Sequence, residues 1–389
     1  MSASDTMTNP APRRAWGIQL LFVAIVAGIC FVLLEIGSRA IFALRVGPSI
    51  LLYGIVDQRQ DEDVQRHENI AVGYSKYFPH QVRYDTDVET QQRFAVQINR
   101  HGFRGKDFSI EKRAGVVRVV TLGASSTFGY HDRDDETYPH YLEQRLNERC
   151  AAAEVEVINL GIPHLTSEQI LALFSAEALP LSPDIVTFYE GINDAAATGA
   201  GGAAPPRALS LRERVSGFAR EHFLLLKLVH ELLRKNRFSE SEVRVHAARP
   251  RAAFIANLTQ ILQASRKHGI RFVVATQQAK SGLVPDEEIS GVTYAEEVAR
   301  VGAKLTRDGW LSAAEMVLLA HSGLMTDLRA WASTNSVPFA DGIAALDRNR
   351  DQLASWVHFK PRGNQLLAEA FADAILAPGC SLAIPRRGR

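Results

Sequence analysis

The chain has 389 residues, enough for one large domain with additions, and its 46% apolar and 22% charged content is that of a folded globular protein. A net charge of +1, with basic residues scattered among acidic ones, gives no electrostatic footprint for nucleic acid. No Cys-x-x-Cys, no metal-ligand spacing of histidines and no glycine-rich phosphate loop occurs, so no metal or cofactor is expected.

Residues 1–14 read as a short polar tail on the cytoplasmic side. From Ala15 to Leu34 no charged residue occurs. At about 1.5 Å per residue such a helix spans roughly 30 Å, the thickness of a bilayer's hydrocarbon core. Residues 15–36 are therefore expected to form a transmembrane helix, with Trp16 at an interface. A cleaved signal peptide is the rival, but the apolar run is long for one and no small-x-small cleavage site follows it. Arg13 and Arg14 before the span favour a cytoplasmic N-terminus, so the rest of the chain is expected on the extracytoplasmic (periplasmic) side.

Residues 37–115 read as a juxtamembrane segment. Little periodicity occurs in it until Phe94, Val96 and Ile98, which alternate as in a half-buried strand. From residue 116 to 380 strands alternate with helices. Strands are expected at Val116–Leu122, Val155–Leu160, Asp184–Tyr189, Phe272–Thr276 and near Pro338–Ala340. Helices are expected through Tyr138–Leu146, opened by Thr137 and Pro139, through Ile255–Leu262, stopped by Gly269, and from about Asn364 to Leu376. The alternation predicts a doubly wound α/β fold around a parallel five-stranded sheet. Two helical insertions, near 195–250 and 284–320, interrupt it. Both follow strands, and each reads either as a cover over a site or as a packing appendage.

In such a sheet, chemistry collects at the carboxyl ends of the strands. Those ends carry Gly123-Ala124-Ser125-Ser126-Thr127, Asn159-Leu160-Gly161 and Gly191-Ile192-Asn193-Asp194, and His358 precedes the last helix. Acyl transfer needs a hydroxyl nucleophile with a neighbouring base, and N–H donors aimed at the oxyanion. Ser125 and His358 supply the first pair; Ser125 N–H, Gly161 N–H and the Asn193 amide supply the donors. Each residue alone has a plainer reading, as a helix cap, a loop glycine, a turn or a structural histidine. Thr127 stands where a Gly-x-Ser-x-Gly elbow would need glycine, which argues against an α/β-hydrolase.

These four segments, in order, resemble the four signature blocks of the SGNH (GDSL-type) hydrolase superfamily. Ser125, Gly161, Asn193 and His358 fall on its four naming positions. Ile98-Asn99-Arg100-His101-Gly102-Phe103-Arg104-Gly105 also resembles a lead-in of membrane-anchored bacterial members. The resemblance covers roughly residues 95–377. It implies a flavodoxin-like three-layer α/β/α fold and hydrolysis or transfer of ester-linked acyl groups, often acetyl groups on carbohydrate. An esterase acting through a Ser125 acyl-enzyme is the first expectation. The alternatives are an O-acyltransferase on an envelope carbohydrate, or a non-catalytic envelope binding protein keeping the fold. Two positions depart from the pattern. His164 stands where a second glycine is common, and Ser355 stands three before the histidine, where the family has Asp. Either a backbone carbonyl orients His358, or Asp351 substitutes one helical turn before Ser355, or the site is degenerate. The flavodoxin-like order also sets the helices ending at Cys150 and before Cys380 side by side, predicting a disulfide between them.

Overall fold

A computed structural model describes residues 13–46, 51, 66–69, 73–150, 154–197, 211–233, 237–377 and 379–380. Most of the polar tail and the Ala/Gly/Pro stretch after residue 197 lie outside the described residues.

The first helix, α1 (Arg13–Val46), is longer than the apolar run that predicts it, and its stretch from Ile18 to Leu44 is long and apolar enough to cross a membrane. Two antiparallel hairpins follow, β1 (Arg66–Asn69) with β2 (Tyr74–Tyr77), and β3 (Val82–Thr86) with β4 (Arg93–Gln97). Next come β5 (Val116–Gly123), the single turn α2 (Ser125–Phe128), α3 (Tyr138–Arg149), β6 (Glu154–Asn159), α4 (Ser167–Leu173), β7 (Ile185–Tyr189) and α5 (Ile192–Ala196). Two helices, α6 (Leu211–His222) and α7 (Leu224–Leu233), precede the short β8 (Phe238–Ser239), α8 (Glu240–Ala248), α9 (Arg251–Lys267) and β9 (Arg271–Ala275). The chain closes with α10 (Tyr294–Asp308), β10 (Trp310–Leu311), α11 (Ala313–Thr334), β11 (Phe339–Ala340), α12 (Gly342–Leu346) and α13 (Pro361–Leu376). The last helix starts three residues earlier than its apolar spacing suggests, because Pro361 takes the first helical position, where its missing N–H costs nothing.

The central sheet runs β11-β9-β7-β5-β6, all parallel, as the alternation predicts. Along β5, Val117 and Val119 face the layer holding α3 and α13, while Val120 and Leu122 face the layer holding α4, α9 and α11. Successive side chains on a strand point to opposite faces, so a β-branched run buried on both sides marks a central strand. The register pairs Gly123 with Tyr189 and Thr121 with Asn159, which aligns the carboxyl ends of β5, β6 and β7. Helix α11, beginning within the second insertion, is a core helix that buries Met316, Leu318, Leu324 and Leu328. Cys150 and Cys380 are disulfide-bonded with Cα atoms 5.5 Å apart, and α3 and α13 pack side by side as expected.

The chain divides into two compact units. One holds α1 together with α6 and α7, and the other holds the hairpins, the sheet and the remaining helices.

Candidate active site

The strand ends bring Ser125 and His358 together. Ser125 opens α2 directly after β5, and its Oγ lies 2.9 Å from His358 Nε2. The turn that presents it is tightly packed. A Cβ on Gly161 would come within 2.3 Å of Phe128 N, and one on Gly123 within 2.5 Å of Tyr189 O. Glycine is needed at both positions because backbone approaches backbone there. Thr127 and Phe128 are fully buried, and Phe128 packs with Tyr77, Phe94 and Val96 of the N-terminal hairpins.

His358 rides on a loop that is closed at its base by a Leu353–Phe359 bridge and by a bond from Ala354 N to His358 O. Ser126 Oγ donates to Val357 O at 3.1 Å, tying this loop to the nucleophile turn. The loop's base is anchored by Arg350, which is fully buried. Its guanidinium donates to Glu297 Oε2, Ala279 O and Val292 O.

The position normally filled by an acid is filled by Ser355. Its Oγ lies 2.8 Å from His358 Nδ1, and it also accepts from His358 N at 3.2 Å. The orienting group is thus a side-chain hydroxyl, neither a backbone carbonyl nor Asp351. Residues 350–352 form a 3-10 turn followed by extended Leu353, so Asp351 is not stacked one α-turn below Ser355. It is exposed, and its carboxylate accepts from Gln352 Nε2.

This substitution changes the proton logic. A carboxylate only accepts, so it forces the Nδ1–H tautomer and leaves Nε2 free as a base. A hydroxyl either accepts or donates, so it leaves both neutral tautomers open. Only the Nδ1–H form can take the Ser125 proton.

Burial pushes the His358 pKa down to about 4, helped by the positive charge of His131 and opposed by Asp85. His131 packs edge-on against His358, with ring centroids 5.7 Å apart, and Tyr130 does the same at 5.4 Å. His131 itself takes a left-handed conformation (φ 70°), and its backbone N–H donates to Asp85 Oδ2 at 2.9 Å. Hydrogen bonding to Asp85 raises the His131 pKa. Asp85 lies on β3, so the N-terminal hairpin contributes charge beside the base.

The two remaining predicted residues line the adjacent strand ends, each with a partner. Gly161 N–H is held by Asn159 Oδ1 at 2.8 Å, so in this state it is not directed at an oxyanion. Asn193 Nδ2 donates to Leu165 O at 3.0 Å, which uses one of its two amide hydrogens. Asp194 accepts from both Ser167 N and Ser167 Oγ, tying the third strand end to the start of α4. His164 occupies a left-handed position (φ 67°), a conformation that favours glycine.

Glu190, immediately before Gly191, is fully buried, and desolvation pushes its pKa up to about 8. Its Oε1 accepts from Asn193 N at 2.8 Å and so fixes the turn that carries Asn193. Glu190 is not among the site residues expected from the sequence, although a carboxyl at a strand end is a signal that could have found it. His131 and Asp85 left no comparable signal, because their pairing depends on two chain segments meeting.

Residues 121–366, more than half of the chain, match the sequence profile of the GDSL-like lipase/acylhydrolase family. The chain belongs to that family. Membership places it among ester-cleaving acylhydrolases. No curated protein matches it. Among solved structures it is similar to a putative lipolytic protein of the G-D-S-L family from Desulfitobacterium hafniense DCB-2, at 14% identity and a TM-score of 0.40, covering 66% of this chain and 99% of that one. It is also similar to a lipase/acylhydrolase from Enterococcus faecalis, at 19% identity and a TM-score of 0.39, covering 70% and 100%. A third is the acetyl xylan esterase AlAXEase, at 13% identity and a TM-score of 0.39, covering 67% and 100%.

Proposed function

We propose that this family member is a membrane-anchored, extracytoplasmic serine esterase in which His358 activates Ser125 without a carboxylate partner. The observation that carries the reading is the 2.9 Å contact between Ser125 Oγ and His358 Nε2. His358 Nε2 takes the Ser125 proton as Oγ attacks the ester carbonyl. Ser125 N–H, in the first turn of α2, and the second Asn193 amide hydrogen are the donors proposed for the developing oxyanion. The tetrahedral intermediate collapses to an acyl-enzyme, and the leaving alcohol takes its proton from His358. Water, deprotonated by the same imidazole, then attacks the acyl carbonyl, releases the acid and returns the proton to Ser125. An ester of an acylated carbohydrate, acetyl included, is the proposed substrate class. A sugar hydroxyl in place of water would make the same site an O-acyltransferase.

The Cys150–Cys380 disulfide supports the extracytoplasmic side, since such bonds persist in oxidising compartments. The apolar stretch Ile18–Leu44 supports the anchor.

Labelling the full-length protein with a serine-reactive fluorophosphonate tests the reading by intact mass. One adduct on the wild type and none on Ser125→Ala is expected. No adduct on either, with folding intact, would leave a binding protein that keeps the fold.

A further inference from the structure

The unit that contains α1 contains more than an anchor helix. Helices α6 and α7 are inserted in the sequence between α5 and β8, yet they belong to the same compact unit as α1. Three contacts fasten them. Phe31 meets Phe223 edge-on, with ring centroids 5.3 Å apart. The Glu35 carboxylate accepts from Leu224 N and Leu225 N at 2.9 and 2.7 Å, capping the otherwise unpaired first N–H groups of α7. Arg39 pairs with Glu35 at 2.7 Å and donates to His222 O, the last carbonyl of α6.

Glu35 is 7% exposed although it sits in a helix most of whose described apolar side chains are exposed. Its level along α1 follows from arithmetic. A bilayer core about 30 Å thick takes about 20 helical residues. Counted from Trp16 or Ile18, that length ends at residues 35–37, where Glu35 and Arg39 dock the α6–α7 pair. The pair therefore sits at the level where hydrocarbon gives way to headgroups.

The outer surface of α6 matches that level. Leu211, Val215 and Phe218 follow one another at helical spacings of four and three and are 71%, 58% and 58% exposed. An apolar stripe on an otherwise charged helix is what a helix lying in a membrane interface presents to lipid.

We infer that α6 and α7 form an interfacial membrane element, docked on the span through Glu35, whose apolar stripe (Leu211, Val215, Phe218) rests in the boundary between headgroups and acyl chains. This rests on reading α1 as a membrane span. The occupant is lipid because the stripe is continuous with the lipid-facing level of α1.

The test uses full-length protein in phosphatidylcholine–phosphatidylglycerol vesicles, in a Cys30→Ser background with Cys150 and Cys380 left paired. Single cysteines at Val215→Cys and, separately, Ile29→Cys carry an environment-sensitive fluorophore. Lipids with a nitroxide near the headgroup or deep in the acyl chain serve as quenchers. Val215 is expected to be quenched at least about twofold more by the shallow nitroxide than by the deep one, and Ile29 the reverse, as fits a helix about 5–10 Å into the boundary. Glu35→Ala is expected to abolish quenching at Val215 and leave Ile29 unchanged. Quenching at Ile29 with none at Val215 would overturn the inference and leave the span standing. Quenching at neither would overturn the span, and the inference with it. Unchanged quenching at Val215 in Glu35→Ala would overturn the docking role of Glu35.

Discussion

Ser125 and His358 meet at one hydrogen bond but are held in different proportions by packing and by polar groups. The nucleophile turn is fixed by close packing: backbone presses on backbone at Gly161 and Gly123, and Phe128 is fully buried under the N-terminal hairpin. The histidine loop also buries Leu353, Val357 and Phe359, and polar groups fix it further. A buried Arg350–Glu297 pair holds its base, and the Ser126 hydroxyl ties its tip to the nucleophile turn. The packed side fixes the backbone that carries Ser125. The polar side sets position well but leaves the protonation of the imidazole less determined, because Ser355 replaces an obligate acceptor.

The comparison breaks most sharply at Arg350. Truncating one partner of a buried ion pair strands the other charge, so Arg350→Ala is expected to cost about 3–5 kcal/mol, read by denaturant unfolding. Loss of fluorophosphonate labelling should accompany it, since the loop base is freed. On the packed side, Gly161→Ala forces a Cβ into Phe128 N and is expected to cost about 1–3 kcal/mol. A neutral effect there would mean that the turn is looser than its contacts indicate. Ser355→Ala should leave stability nearly unchanged and lower kcat/KM about tenfold, equal to about 1.4 kcal/mol of transition-state stabilisation. A loss of 10⁴, the size seen when a triad acid is disabled, would show that the hydroxyl does all the work of an acid.

Much of the packed side was legible in the sequence. The strand–helix alternation located five parallel strands, and the strand ends led to Ser125, Gly161 and Asn193, because a buried central strand and a tight turn leave local compositional marks. The helix order also led to the Cys150–Cys380 bond. The polar side was legible only as an absence. Ser355 read as a missing acid, since nothing local shows that a hydroxyl sits 2.8 Å from Nδ1. Asp351 looked competent on the assumption of an α-turn, which the 3-10 geometry of 350–352 removes. The pairing of Asp85 with His131, 46 residues apart, depends on a hairpin folding over the site. The docking of α7 on Glu35, 189 residues away, depends likewise on tertiary structure.

The pH dependence of fluorophosphonate inactivation tests most directly whether His358 serves as a base without a carboxylate. The base must be neutral to act, and burial lowers its pKa to about 4. The inactivation rate should therefore stay level as pH falls through 6.5 and decline only near pH 4. Ser355→Asp adds an acceptor and a negative charge beside Nδ1. Its acid limb is expected to move up by about one to three pH units, with a higher plateau rate. A wild-type limb already near pH 6.5 to 7, unmoved in Ser355→Asp, would contradict the account and show that some other carboxylate already serves His358.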